Sequence, residues 1–166
     1  GSGRGVRVKD WNAFREERDD RAPHVARRVV RAFGLRAPPV PVEEVVANLG
    51  VRVERRPTPG WDGALDSTHS PPIVWVNGDQ RATRQRYAIA HELGHLLMHP
   101  TGVYRDATFA SGSEQERDAN EFALELLIPL WMLEPIITSR RLTTLQVSAM
   151  FNVSPGAMGS QLEKLL

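Results

Sequence analysis

The chain has 166 residues, with 21 Lys and Arg against 20 Asp and Glu, five histidines and no cysteine. That length suits one catalytic domain with its own core, and a net charge of +1 gives no bulk attraction to nucleic acid. Without cysteine there is no disulfide, no thiol nucleophile and no Cys-ligated metal, so any metal chemistry falls to His and carboxylate. No apolar run is long enough to span a membrane and no signal-peptide pattern opens the chain, so a cytoplasmic location is expected.

In chain order, Gly1-Ser2-Gly3 reads as a cloning remnant, and residues 1–37 as an N-terminal helical extension. Residues 1 to 36 hold ten basic and five acidic side chains, +5 against about −4 for the remainder, which reads as a solvated arginine-rich arm. Residues 10–20 are polar and helix-prone, and are expected to be a mobile part of that extension. Pro23 to Phe33 reads as a helix with Val25, Val29, Val30 and Phe33 on its apolar side and Gly34 as its stop. Pro38-Pro39-Val40-Pro41 is a linker, and a short helix from Val42 to Leu49 ends at Gly50.

Val51 to Glu54, Gly63 to Leu65 and Ile73 to Val76 read as strands of a small antiparallel sheet. Many peptidases hold substrate backbone by strand addition at a sheet edge, and Gly63 to Asp66 is the expected edge here. Asn77-Gly78-Asp79 is a turn signal, with Asp79 as the expected N-cap of a helix over residues 80–98 that Pro100 terminates. The loop Pro100 to Gly112 follows, then a helix from Ser113 to Ile128 ended by Pro129. Thr143 to Phe151 and Pro155 to Leu166 read as two short helices around Asn152-Val153-Ser154, a helix-turn-helix-like pair. Its second helix offers only Ser160, Gln161 and Lys164 as polar or basic groups, so packing on the catalytic core or binding a partner is expected over reading DNA.

The helix over 80–98 carries His91-Glu92-Leu93-Gly94-His95. Residues four apart share a helical face, so both imidazoles can reach one metal ion. Glu92 lies about 100° round the helix, too far to be a third ligand but well placed to take a proton from a metal-bound water. Flanked by Ala88-Ile89-Ala90 and Leu96-Leu97-Met98, the pair is expected to be buried or cleft-lining, where a metal would satisfy both rings. The competing reading of either histidine alone is a satisfied core residue.

A catalytic zinc takes three protein ligands. On the helix over 113–128, Glu114, Asp118, Glu121 and Glu125 form an acidic stripe expected to face solvent. Glu116, Ala119, Asn120, Ala123, Leu126 and Leu127 form the core-facing stripe, so Glu116 is the expected third ligand. Its competing role is local, because Ser113-Glu114-Gln115-Glu116 matches a capping box. Asn120 reads equally as a group orienting a ligand and as an ordinary core hydrogen-bonding residue. Tyr104, His69 and His99 are candidates to face a developing oxyanion, with Arg105 and Asp106 also able to border the cleft.

The run from Arg86 to His99, followed by Glu116-Arg117-Asp118-Ala119-Asn120-Glu121-Phe122-Ala123-Leu124-Glu125-Leu126-Leu127-Ile128-Pro129, resembles the ImmA/IrrE family of metallopeptidases. The likeness extends to Trp61-Asp62-Gly63-Ala64-Leu65 and Ile73-Val74-Trp75-Val76-Asn77, covering about residues 38 to 166. The resemblance implies an α+β, zincin-like peptidase core over 38–138, with the helical pair of 139–166 packed on it. It also implies zinc held by His91, His95 and Glu116, with Glu92 as the catalytic base. Members of the family typically cut a helix-turn-helix repressor, relieving repression of a mobile element or stress genes in bacteria. The expected partner is therefore a protein substrate, with no membrane and no direct nucleic-acid binding. Manganese is the alternative metal, since two histidines and a carboxylate accept several divalent ions. The alternative function is a metal-containing regulatory or toxin-antitoxin protein that acts by binding, without proteolysis.

Overall fold

The run Ile73–Asn77, rich in β-branched and aromatic residues and followed by Gly78-Asp79, becomes a strand, as β-propensity favours. The computed structural model describes residues 10–15, 22–57, 60–102, 104–106 (backbone) and 113–166. Gly1 to Gly3 and most of the loop before Ser113 lie outside the described residues. Strands β1 (Arg52–Arg56), β2 (Gly63–Asp66), β3 (Ile73–Asn77) and β4 (Tyr104–Asp106) form one sheet in the order β1-β3-β2-β4.

β2 runs antiparallel to β3, with Gly63 opposite Val76, and antiparallel to β4. β1 and β3 run parallel, Arg52 beside Ile73. The α+β class is as expected, but the sheet is mixed. β3 turns back from β2 and inserts between β2 and β1, so it runs with β1 and keeps the two earlier strands from pairing. β2 is interior as well, because Ala64–Asp66 pair with β4. The expectation that Gly63 to Asp66 is an exposed edge fails for that reason; β1 and β4 are the edges. Three residues inside a polar loop show no alternation from which β4 could have been read.

The helices are α1 (Ala22–Ala32), α2 (Val42–Asn48), α3 (Ala82–Met98), α4 (Glu114–Leu127), α5 (Leu130–Ser139), α6 (Thr144–Phe151) and α7 (Pro155–Glu163). α3 begins at Ala82 behind Arg81, not at an Asp79 cap; Asp79 instead donates its N–H to Asn77 Oδ1 at 3.0 Å. α3 packs across β2 and β3 on one side and along α4 on another, which puts Ile89, Leu93, Leu96 and Leu97 in the core with Phe122, Leu126 and Leu127. α5, where Pro135 interrupts a helical apolar run, is a further element that sequence patterning passed over.

Both ends of the described chain dock on this core. Phe14, at the end of a short 3-10 helix over Trp11–Phe14, is buried, and Trp11 donates its N–H to Leu49 O at 3.0 Å. Arg15 donates to Leu96 O at 2.5 Å and to His99 O at 2.9 Å, capping the carbonyl end of α3. Residues 10–15 are thus anchored where a mobile extension was expected, because Arg15 meets carbonyls 81 and 84 residues away, a pairing no local pattern reveals. Val25, Ala26, Val29 and Val30 of α1 are fully buried in the same core.

Glu125 corrects the stripe reading of α4. It is 1% exposed, not solvent-facing, and accepts from Arg27 Nε at 3.3 Å, Leu130 N at 3.2 Å and Gln161 Nε2 at 3.2 Å. α1, the start of α5 and α7 close over that face. Gln161 is fully buried and also donates to Ile128 O at 2.7 Å, while Lys164 pairs with Glu121 at 2.5 Å. The amide and the lysine that α7 might have offered to DNA are therefore engaged within the fold. Among the described residues no single helix is long and apolar enough to cross a membrane.

Candidate metal centre

The site is made where α3 crosses α4, and a glycine permits the crossing. A Cβ built on Gly94 would lie 3.0–3.1 Å from three atoms of Phe122, so the residue just before His95 lets α4 approach backbone-close. A Cβ on Gly63 would likewise meet Trp75 O at 3.2 Å and Glu92 Cγ at 3.5 Å, so β2 comes up against the other flank of the same turn. His91, Glu92 and His95 are each 1% exposed.

The Nε2 atoms of the two histidines face α4. His91 Nε2 lies 2.9 Å from Glu116 Oε2, and His95 Nε2 lies 2.9 Å from Glu116 Oε1. One carboxylate thus spans both imidazoles. The hydrogen bond from His91 holds the Glu116 carboxyl below its ordinary range, with the charges of His95 and His91 adding and burial opposing. Ser113 Oγ accepts from Glu116 N at 3.2 Å, so the backbone half of the capping box forms while the Glu116 side chain reaches the histidines.

Glu92 competes for the third position on proximity alone, since ligand atoms of His91, Glu92 and His95 lie within 4.8 Å of one another. Glu116 could supply the third donor instead: its two oxygens contact both Nε2 atoms directly, and Glu92 leaves the helix at a different angle. Two imidazole nitrogens and one carboxylate oxygen that converge at a buried histidine pair are the donor chemistry of a divalent transition-metal site, which zinc would fit.

Around this centre, Tyr87 donates its hydroxyl to Asn120 Oδ1 at 2.9 Å, and burial pushes the phenol well above its ordinary range, with Glu121 and Glu116 adding. Asn120 therefore orients a tyrosine on α3, a partner that patterning on α4 alone did not identify. The spacing of Tyr87 four residues before His91, on the same face, was the available signal. A cleft of about 930 Å³ is lined by Tyr87, Ala88, Asn120, Asp62, Arg84 and, from α7, Ala157, with none of His91, Glu92, His95 and Glu116 in its lining. Arg84 Nε donates to Asp62 at 2.9 Å, which sets the cleft's rim.

The three oxyanion candidates part company. His69 is mostly exposed and pairs with Asp66 at 3.3 Å. The side chains of Tyr104, Arg105 and Asp106 lie outside the described residues. His99 is buried and its Nδ1 lies 2.8 Å from Nδ1 of His95.

Over 63 residues the chain is 34% identical to "Uncharacterized immunity region protein 2" of Bacillus phage phi105, covering 36% of this chain. The match spans 40% of the length of that curated relative. The family described as Peptidase_M78, the IrrE N-terminal-like domain, matches residues 46–163. The crossing of α3 and α4, the sheet beside it and the α6–α7 pair all fall within that span, and the chain belongs to the ImmA/IrrE family of metallopeptidases.

Proposed function

We propose that this protein is a zinc-dependent endopeptidase whose substrate is a helix-turn-helix transcriptional repressor. The observation that carries the reading is the meeting of His91 Nε2 and His95 Nε2 at the two oxygens of Glu116, each at 2.9 Å, with Glu92 buried beside them. His91, His95 and Glu116 would hold the metal and Glu92 would be the catalytic base. Bound zinc would acidify a water molecule and polarise a peptide carbonyl.

Everything else in the reaction belongs to the chain. Glu92, buried next to the histidines, takes the proton from the attacking water and hands it to the leaving amine. Burial excludes bulk solvent, so that transfer is not lost to competing water. The cleft between α3, α4 and α7 supplies room for substrate beside Tyr87 and Ala88. The repressor as substrate rests on the family and on a relative named for a phage immunity region. Zinc is preferred for its tolerance of a three-ligand site with an open position, manganese being the other ion the donors accept.

The test combines the zinc-loaded protein with the repressor-like protein encoded beside its gene and reads intact masses, using Glu92→Gln as control. Two complementary fragments with the unmodified protein alone are expected, at a rate about 10²–10⁴-fold above the variant. Equal cleavage by Glu92→Gln refutes the proton-transfer role, and an uncut repressor refutes that substrate.

A further inference from the structure

His91, His95 and His99 recur every fourth residue along α3, yet the proposed reaction uses only the first two. His99 is the C-cap of the helix, with its ring centroid 4.9 Å from that of His95 and 52° between the planes. Its Nδ1 lies 2.8 Å from Nδ1 of His95, the nitrogen pointing away from Glu116. On its far side, His99 Nε2 lies 3.8 Å from Asp118 Oδ2, one helical turn of α4 before Phe122. Its backbone is pinned too: His99 N donates to His95 O at 2.9 Å, and its carbonyl accepts from Arg15 at 2.9 Å.

A 2.8 Å contact between two ring nitrogens is a hydrogen bond only if one carries the proton and the other a lone pair. Which way it runs depends on what His95 Nε2 faces. Where that nitrogen faces the Glu116 carboxylate, it carries a proton, so Nδ1 of neutral His95 accepts from His99. Where Nε2 gives its lone pair to a metal, the proton of neutral His95 sits on Nδ1, and the bond runs from His95 to His99.

Resting on the metal-site reading above, we propose that His99 is the positioning residue for the metal centre: it accepts the Nδ1 proton of metal-bound His95 and locks its ring and tautomer. The proton of His99 then sits on Nε2, facing Asp118. A ligating histidine gains basicity and a fixed ring from such an acceptor, and losing one typically costs metal affinity about ten- to a hundredfold. Arg15 fixes the carbonyl of the same residue, so the N-terminal segment holds the acceptor in place.

Imidazole ¹⁵N spectra of the zinc-loaded protein, assigned by comparison with His99→Asn, test the bond with no folding risk to the unmodified chain. Expected are a protonated Nδ1 on His95 and an unprotonated Nδ1 on His99; a proton on Nδ1 of His99 overturns the proposal. Zinc affinity by chelator competition gives the second readout. His99→Phe, which keeps bulk and removes the acceptor, is expected to bind zinc about ten- to a hundredfold more weakly, whereas His99→Asn, which keeps an acceptor near Nδ1, regains most of the loss. Metal-free melting temperatures of both variants separate this from unfolding. Unchanged zinc affinity in a folded His99→Phe protein overturns the role of His99 while leaving the site intact. Absence of zinc binding by the unmodified protein overturns the site itself.

Discussion

Gly94→Ala puts one methyl group at the place where the proposed metal site is assembled. The new Cβ would sit 3.0 Å from Phe122 Cδ1 and 3.1 Å from Phe122 Cβ and Cγ. Because Phe122 Cβ is rigidly joined to the backbone of α4 and its ring is fully buried, rotating the side chain relieves only part of the clash. Replacing glycine inside a helix contributes up to about 1 kcal/mol of propensity. Overpacking a close helix contact costs about 1–3 kcal/mol. The net is a loss of about 1 kcal/mol, or about 2–4 °C in melting temperature for a chain of this size.

The effect on metal should be larger than that on stability. Separating α3 from α4 by a few tenths of an ångström carries Glu116 away from both histidines, and metal sites tolerate only about 0.2 Å in ligand distance. Zinc affinity is expected to fall by about tenfold or more, in the range seen when ligand support is lost. Differential scanning fluorimetry of the metal-free protein and chelator competition measure the two quantities. A variant that melts higher, as an ordinary helical alanine would, and binds zinc as tightly as before refutes the argument that this contact is at its limit.

Glu116→Gln is expected to keep the helix start, since Ser113 Oγ accepts from the backbone N–H of residue 116, but to lose most of its zinc in equilibrium dialysis; a full equivalent retained refutes the ligand role. In the metal-free protein the same substitution should flatten the acid limb of stability. The folded Glu116 carboxyl sits below its ordinary 4.5, so its contribution is full above about pH 4.5 and is lost as the pH falls through the folded value. Urea titrations at a series of pH values from neutral downward check this, and identical acid limbs in the two proteins refute it. Glu125→Ala removes the acceptor shared by Leu130 N, Gln161 and Arg27, and is expected to cost about 1–3 kcal/mol, chiefly from the buried amide groups because Arg27 relaxes into water. Hydrogen exchange should quicken in α7 and α1 together; faster exchange in α7 alone would show that Arg27 does not couple the two helices.

The sequence by itself determined the elements whose signals are local. Period and stop signals placed α3 and α4 within two residues although the Asp79 cap expected for α3 does not form, the face argument separated Glu116 from Glu114, and Ser154-Pro155 marked the start of α7. The four residues of the proposed site were singled out because a ligand pair must repeat at the helical period, and because a carboxylate on a small, apolar stripe needs a buried partner. Only the tertiary structure decided what depends on distant partners. The parallel pairing of β1 with β3 follows from β3 inserting between strands that are neighbours in sequence. Glu125 reads as solvent-facing until α1 and α7 close over it, since helical phase tells which residues share a face and not what covers that face. Arg15 shows the same limit, because a side chain that meets backbone carbonyls more than eighty residues away leaves no periodic trace in the chain.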